Sequence, residues 1–200
     1  MILYGASGHA KVIIEILELL GLPVSSLVDA NPNIKTLLGY TVYTSFNNAA
    51  IDTNNQVIMA VGNNALRKKL AAEILQSFGT AIHPRAIISS RCEIGPGTVI
   101  AAGVVVSSGA SIGSHVILNT NCVVDHECTV GNYVHISPNA ALAGNVTVGE
   151  GTHIGIGACV IQGIKIGNWA TIGAGTVIIK DVPDYAVVVG NPGRIIKYNK

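Results

Sequence analysis

The fold of this chain is decided by residues 112–130, which read IGSHVILNTNCVVDHECTV. Every sixth residue of this stretch is a large aliphatic one: Ile112, Leu118, Val124 and Val130. The same frame continues without a slip from Ile82 to Pro183, and each of its seventeen hexads begins with Ile, Leu or Val. An amphipathic α-helix has an apolar period of about 3.6 residues and cannot produce this pattern. The period of six predicts a parallel β-helix built from hexapeptide repeats.

The repeat also predicts which residues lie on top of one another. Each hexad is a short strand followed by a corner, and three hexads close one triangular coil, so residues separated by 18 positions stack at ~4.8 Å. On this basis His126 stacks on Gly144, and His135 stacks on His153. A glycine beside His126 leaves open space next to the imidazole ring and bares a backbone N–H group.

A different pattern fills the residues before the repeat. Their apolar runs predict three strands and two helices, in the order strand Met1–Tyr4, helix Val12–Leu20, strand Ser26–Val28, strand Gln56–Val61 and helix Ala65–Phe78. A strand, a glycine turn, a helix and a second strand form a Rossmann-like βαβ unit. We therefore expect an α/β domain over residues 1–80, a β-helix domain over 81–183 and a C-terminal cap over 184–200.

Two features of the first domain have a functional and a structural interpretation. The turn Gly5-x-x-Gly8 opens the first helix, and it either places N–H groups against a phosphate or only lets strand and helix pack together. Asp29 ends the second strand, where such folds often hold a ribose or a base, but a solvated strand end would look the same. The spacing alone does not decide between these interpretations.

Composition narrows the function classes. The net charge of +1 gives no reason to expect nucleic acid or an anionic membrane as partner. No apolar run reaches the ~20 residues that span a bilayer, and the N-terminus lacks a signal-peptide pattern, so we expect a cytoplasmic protein. The four cysteines include no C-x-x-C pair, and three of them occupy the small fifth position of a hexad, so we expect buried thiols and no metal site.

Three motifs together resemble a known family. They are Ile2-Leu3-Tyr4-Gly5-Ala6-Ser7-Gly8-His9-Ala10-Lys11, then Val61-Gly62-Asn63-Asn64 before Arg67-Lys68, and Val124-Asp125-His126-Glu127-Cys128 inside the repeat. This combination, which spans nearly the whole chain, resembles the PglD and NeuD type of bacterial hexapeptide-repeat sugar acetyltransferases. The resemblance implies a left-handed coil, acetyl-CoA as acyl donor, and a homotrimer with active sites between subunits.

The resemblance also implies residue roles. His126 is the general base and Glu127 raises its basicity, while Ser7, Gly8, His9, Asp29, Gly62 and Asn63 bind the nucleotide sugar. The acetyl-CoA groove is lined by His135, Gly144, Ile156 and Ala174, with the Gly144 N–H near the thioester carbonyl. Members that act on UDP-sugars have two adjacent carboxylates after the second strand, whereas this chain has Asp29-Ala30, a difference that bears on the nucleobase.

The residues support direct acyl transfer. An attacking amine must lose a proton, which suits a histidine because its ordinary pKa is ~6.5. The oxyanion that forms suits a backbone N–H. Asp125 and Glu127 both flank His126, and spacing does not choose which of them orients it; the family comparison favours Glu127.

The expected function is therefore acetyl-CoA-dependent N-acetylation of the 4-amino group of a UDP-linked 4-amino-4,6-dideoxy sugar, in bacterial surface-glycan synthesis. One alternative is an O-acetyltransferase for sialic acid or another sugar hydroxyl, with the same fold and base. A second is a non-catalytic scaffold that binds sugar nucleotides.

Overall fold

The computed structural model describes residues 1–46 and 55–199. The N-terminal part is a five-stranded sheet in the order β3-β4-β2-β1-β5. Its strands are β1 Ile2–Tyr4, β2 Ser26–Val28, β3 Thr36–Leu37, β4 Tyr40–Tyr43 and β5 Val57–Met59. Strands β4, β2, β1 and β5 run parallel, and β3 forms an antiparallel hairpin with β4 that the sequence interpretation did not include. The predicted α/β domain is confirmed.

Two helices accompany this sheet. Helix α1 spans Gly8–Leu19, four residues earlier at its start than its apolar pattern suggested, and α2 spans Asn64–Ala71. The prediction that the second helix continues to Phe78 is wrong. Phe78 instead forms an isolated parallel bridge with Val57 beside the sheet, so the chain past Ala72 serves the sheet edge. Neither helix has the length or apolar character needed to cross a bilayer, within the described part of the chain.

From Ala81 the chain forms a left-handed parallel β-helix. Each of its strands β6 to β22 consists of two residues. The first is the residue before a hexad and faces outward, and the second is the first residue of that hexad and faces the core. These two-residue strands are Ala81–Ile82, Ile87–Ile88, Glu93–Ile94, Val99–Ile100, Val105–Val106, Ser111–Ile112, Ile117–Leu118, Val123–Val124, Thr129–Val130, His135–Ile136, Ala141–Leu142, Thr147–Val148, His153–Ile154, Cys159–Val160, Lys165–Ile166, Thr171–Ile172 and Val177–Ile178.

The strands stack into three flat faces. Face 1 holds β6, β9, β12, β15, β18 and β21, continued by β23 (Ala186–Val189) and the antiparallel β24 (Arg194–Tyr198). Face 2 holds β7, β10, β13, β16, β19 and β22, and face 3 holds β8, β11, β14, β17 and β20. Among β6 to β22 every register joins residues 18 apart, as in the pairing of Val105 with Val123. The predicted stacking is confirmed.

The corners are turned by one residue in the left-handed backbone region. From Gly97 to Gly175 the fourth residue of every hexad has φ between 54° and 75°. Glycine, which lacks the Cβ clash, or asparagine fills ten of these positions. The four exceptions are His115, Glu127, Tyr133 and Trp169. The sequence interpretation did not include this position.

The α/β domain rests on face 1 of its own β-helix. Helix α1 packs against β6, and Ala81 and Val99 belong to the same buried cluster as Leu3 and Ile13. The outward side chains of Val99 and Ile117 are at most 2% exposed within this one chain, because its own N-terminal domain covers that part of face 1.

Candidate active site between β-helix corners

His126 lies where the chain turns from face 2 to face 3. Gly144 follows it in the next coil of that column, and a Cβ added to Gly144 would lie 2.5 Å from both Cε1 and Nε2 of the ring. The imidazole therefore occupies the space that the glycine leaves, as the repeat predicted. The His126 side chain is 57% exposed and Glu127 is 72% exposed, so this corner is open to solvent. We call His126, Glu127 and Gly144 the open corner.

The two acidic neighbours of His126 have different tasks. Glu127 Oε2 lies 3.4 Å from Nδ1 of the His126 ring. Asp125 uses Oδ1 to accept a 2.7 Å hydrogen bond from the His126 backbone N–H. A proton on Nδ1, facing the Glu127 carboxylate, leaves the lone pair on Nε2, the nitrogen beside Gly144. Of the two carboxylates, that of Glu127 faces the ring, which is the arrangement expected from the family comparison.

Glu127 is in a conformation that its residue type disfavours. Its φ is 59°, at the position where the other corners use mostly glycine or asparagine. The other three exceptions, His115, Tyr133 and Trp169, sit under α2 and have packing contacts that fix them. Glu127 is largely exposed and has no such packing. Strain that packing does not explain is typical of functional residues. This signal was present in the hexad frame and was missed.

The four residues expected to line an acetyl-CoA groove are not together on one chain. Gly144 belongs to the open corner. Ile156, 58% exposed, and Ala174 lie on successive coils where face 1 turns into face 2. His135 points outward from face 1, with Nε2 at 3.2 Å from the Asn119 amide. On this one chain the four residues therefore lie at two different corners and on face 1.

The carboxyl ends of β1, β2 and β5 form the candidate nucleotide site. Gly5 has φ of 111°, and a Cβ there would lie 2.7 Å from the Ala60 carbonyl oxygen, so this glycine is required for packing. A Cβ on Gly8 would meet nothing within 4 Å, and the Ser7 side chain makes no capping hydrogen bond to α1. The N-terminus of α1 is therefore open to solvent. Gly5 supports the packing interpretation of the turn, while the open space at Gly8 is compatible with the functional one.

Asp29 has a local task in this site. Its Oδ2 accepts a hydrogen bond of 2.8 Å from the Ala6 N–H, and its Oδ1 accepts one from Asn31. The carboxylate therefore holds the glycine turn in place. His9, on the first turn of α1, has a buried Nε2 without a hydrogen-bond partner among the described residues. Burial, followed by the charge of Arg67, lowers the pKa of His9 to about 4.

Gly62 and Asn63 lie beside a cavity of about 830 Å³ between α2 and the β-helix. Asn63 caps α2, since its side chain accepts a hydrogen bond from the Leu66 N–H, while a Cβ on Gly62 would meet open space. The opposite wall has aromatic and neutral polar groups that the sequence interpretation did not select: His153, Trp169, Thr171, Tyr185 and Asn199. The sequence of the β-helix gives no signal for this cavity, because a second domain forms the other side of it.

Stacked histidines run along face 1 toward this cavity. The rings of His135 and His153 are parallel within 8°, with centroids 4.9 Å apart, which confirms the predicted stacking. His153 Nε2 lies 2.8 Å from Ser137 Oγ. Burial lowers the pKa of His135 to about 3, assisted by the charges of His153, Arg67 and His9. Burial and Arg67 also lower the pKa of His153. These histidines are neutral at pH 7.

Cysteine and metal chemistry have little support here. Cys122 and Cys128 are buried, and burial raises the pKa of Cys122 to about 12, so its thiol is a poor nucleophile. Cys159 is exposed, contrary to the expectation of buried thiols, because it occupies an outward sixth position. The described residues include no cluster of three or more His, Cys, Asp or Glu side chains that could hold a metal ion.

Comparisons with known proteins agree with this architecture. The model of the PglD N-terminal domain family matches residues 1–74. The structure of PerB from Caulobacter crescentus, in complex with CoA and GDP-perosamine, is similar at 37% identity with a TM-score of 0.90, over 98% of this chain and 96% of that one. No curated protein sequence gives a significant match.

Two further structures extend the comparison. The acetyltransferase domain of PglB from Neisseria gonorrhoeae, in complex with acetyl coenzyme A, is 36% identical with a TM-score of 0.90, over 98% of both chains. WeeI from Acinetobacter baumannii is 28% identical with a TM-score of 0.90, also over 98% of both. More than a third of the residues are identical to those of PerB and of the PglB domain over nearly the whole length of the chain. The chain therefore belongs to the PglD-type family of hexapeptide-repeat sugar N-acetyltransferases.

Proposed function

We propose that this enzyme transfers the acetyl group of acetyl-CoA to the 4-amino group of a 4-amino-4,6-dideoxy sugar linked to a nucleoside diphosphate, in bacterial surface-glycan synthesis. One observation carries the proposal. The exposed His126 has Nδ1 facing Glu127 and Nε2 beside the bare backbone of Gly144. That arrangement suits the removal of a proton from a nucleophile that attacks a carbonyl group.

The chemistry follows from these groups. The sugar nitrogen attacks the thioester carbonyl carbon and loses its proton to His126 Nε2. Within the described residues the Gly144 N–H donates to no other backbone group, so it is available to the oxyanion. The intermediate collapses, the carbon–sulfur bond breaks, and the proton on His126 passes to the departing thiolate. No acyl-enzyme is needed, in agreement with the high pKa of Cys122.

The N-terminal domain is the proposed site of the nucleotide. Gly8 and Gly62 both border open space, and the free N-terminus of α1 suits a diphosphate. UDP was our first expectation for the nucleotide. Asp29-Ala30 departs from the UDP pattern, and the similar Caulobacter enzyme was solved with GDP-perosamine, so GDP-linked and UDP-linked sugars must be compared directly.

We place the reaction between subunits of a homotrimer. The open corner joins faces 2 and 3, whereas the nucleotide domain covers face 1, so on one prism the base and the proposed nucleotide site lie apart. A neighbouring prism that presents face 2 would bring them together. Face 2 suits this contact because its outward residues are all apolar, while those of face 3 are mostly polar or charged. The face 2 residues are Ile87, Val105, Val123, Ala141, Cys159 and Val177.

The test is release of CoA as free thiol from acetyl-CoA, with UDP- and GDP-linked 4-amino-4,6-dideoxy sugars as acceptors. The His126→Ala variant should lose ~10²–10⁴-fold in kcat, the usual contribution of a general base. Since the side chain is exposed, the variant should fold normally. Release that survives the substitution would remove His126 from its role.

The acceptor panel separates the competing functions. Sialic acid, offered in place of the amino sugars, tests the O-acetyltransferase alternative. Thermal protection by UDP or GDP identifies the nucleobase and is not expected for an enzyme that acts on free sialic acid. If the protein releases no CoA with any acceptor but is still protected by a nucleotide sugar, the scaffold alternative holds.

A further inference from the structure

Arg67 on helix α2 is a buried cation at the junction of the two domains. Its side chain is only 1% exposed. A guanidinium group has five N–H donors, and here all five are used by oxygen acceptors at 2.8–3.2 Å. Burial of an unpaired charge is costly. The five hydrogen bonds offset that cost, so the surrounding backbone stabilises the buried guanidinium.

The five bonds join two domains. On the N-terminal side, Nη1 donates to the carbonyls of Val61 and Gly62, and Nη2 donates to the Asn64 side chain. On the β-helix side, Nε donates to the carbonyl of His115 and Nη2 to that of Tyr133. No carboxylate forms a salt bridge with Arg67 among the described residues. The guanidinium therefore acts as a clip between backbones.

The part of the N-terminal domain that Arg67 holds is the turn over the cavity. Gly62, Asn63 and Asn64 all line that cavity, and Asn64 also donates from its amide to the carbonyls of Gly151 and Thr152. Gly62 has no side chain to hold this part of the turn, so its position depends on what binds the backbone there. The Arg67 guanidinium binds the carbonyls of Val61 and Gly62 and the side chain of Asn64.

We propose that Arg67 is a positioning residue, which fixes the Gly62–Asn64 turn against the β-helix and thereby sets the affinity for the nucleotide sugar. This inference rests on the proposed function of the Gly62–Asn63 turn. Arg67 does not reach a substrate, since it lies beneath the turn and is fully engaged. Its effect is on the shape of the site.

The surroundings of Arg67 are arranged to keep other charges away. His9, His115, His135 and His153 all have a pKa lowered by burial and, further, by the charge of Arg67. The ring of His115 stacks on Tyr133, with centroids 5.0 Å apart, and Phe78 meets it edge-on. Burial and the charge of Arg67 therefore both favour the neutral form of these four histidines.

Lys68, the next residue on α2, is a matched control. It also joins the two domains, through Nζ at 2.5 Å from the Glu150 carboxylate and at 5.4 Å from the Trp169 ring. Its side chain is 45% exposed, however, and it does not bind the turn carbonyls. Lys68→Met removes a rim contact of the same interface and leaves the turn held.

The main variant is Arg67→Lys, which keeps the charge and the aliphatic stem, so it is expected to fold, but has at most three donors in place of five. We expect its KM for the nucleotide sugar to rise by ~10–100-fold, with KM for acetyl-CoA and kcat within ~3-fold of wild type. Lys68→Met should change neither KM. A folded Arg67→Lys enzyme with an unchanged KM for the sugar, or with equal losses for both substrates, would overturn the proposal.

A second measurement needs no turnover. Amide hydrogen exchange of residues 61–71 should be faster in Arg67→Lys than in Lys68→Met at equal global stability. Trp169, the only tryptophan, lies on the cavity wall, so its ring should be more accessible to a neutral quencher in Arg67→Lys than in wild type. Lys68→Met is not a control for this readout, because Lys68 Nζ lies 5.4 Å from the same ring. If the wild-type enzyme transfers acetyl to no nucleotide sugar, the proposed function fails. If hydrogen exchange and quenching are unchanged in Arg67→Lys, the positioning role fails, whatever the outcome for the proposed function.

Discussion

The open corner at His126 and the closed corner under α2 are built from the same repeat. By the closed corner we mean His115, Tyr133 and Trp169, which occupy the fourth hexad position, as Glu127 does at the open corner. All four have left-handed backbones, with φ between 54° and 59°. At the closed corner His115 is 4% exposed, while at the open corner Glu127 is 72% exposed.

The two corners show that a repeat sets the backbone conformation of a position but not its chemistry. At the closed corner, the strain of the left-handed aromatic residues is offset by ring stacking and by the packing of α2. At the open corner no packing offsets the strain of Glu127, and its one ion-pair contact among the described residues is with the His126 ring. Histidines follow the same division: those at the domain junction are held neutral by burial, whereas His126 faces solvent.

Acidification should distinguish the two regions most strongly. The pKa of His9 and His115 is lowered to about 4 and that of His135 to about 3, below the ~6.5 of an unfolded chain. Between pH ~6.5 and 4 the unfolded chain binds more protons than the folded protein, so the free energy of unfolding falls as the pH is lowered through this range. Each histidine contributes a slope of up to ~1.4 kcal/mol per pH unit. Denaturant unfolding at a series of pH values measures the slope.

The variant His135→Gln isolates one member of this set. It should flatten the pH dependence by up to one proton between pH ~6.5 and 4, since glutamine does not titrate there. Lys165→Gln removes an exposed positive charge from face 3 and serves as a control for the change in net charge. An identical slope in wild type and His135→Gln would contradict the burial of this histidine as a neutral group.

Gly144→Ala should damage the open corner without unfolding it. The added Cβ would lie 2.5 Å from Nε2 of His126, so the ring must move away from the acceptor. A displacement of about an ångström can lower turnover by ~10²-fold. Steady-state CoA release measures this effect. Gln162→Ala, one coil further along the same exposed column, is the matched control and should keep wild-type kcat; an unaffected Gly144→Ala enzyme would separate His126 from this glycine.

Glu127→Gly should raise stability slightly and lower activity, and its effect on stability is the smallest that we predict. Glycine relieves the left-handed conformation, so the free energy of unfolding should rise by up to ~1 kcal/mol while acetyl transfer falls. Glu127→Gln keeps the strain and loses only the charge. Asn145→Gly, at the same position one coil later, should change stability less because asparagine tolerates this conformation. Paired denaturant curves and rates test this; a destabilised Glu127→Gly protein would contradict the strain.

The repeat made the β-helix predictable in detail. A period of six places each aliphatic inside and each residue on its neighbour 18 positions away, which is why the contacts of His126 with Gly144 and of His135 with His153 could be stated before the structure. The α/β domain was predictable as an order of elements. Its β3–β4 hairpin and the end of α2 at Ala71 were not, because short strands and helix ends depend on pairing partners.

Everything that depends on local period could be predicted from the order of the residues: the coil, its core, and a histidine beside a glycine on one column. Everything that depends on which surfaces meet is visible only in the folded molecule. Val99 is covered by its own chain, Glu127 faces Nδ1 while Asp125 binds the backbone, and Arg67 clips two domains together. The physical reason is that burial and hydrogen-bond partners come from residues far apart in the chain, and no sequence period records their approach.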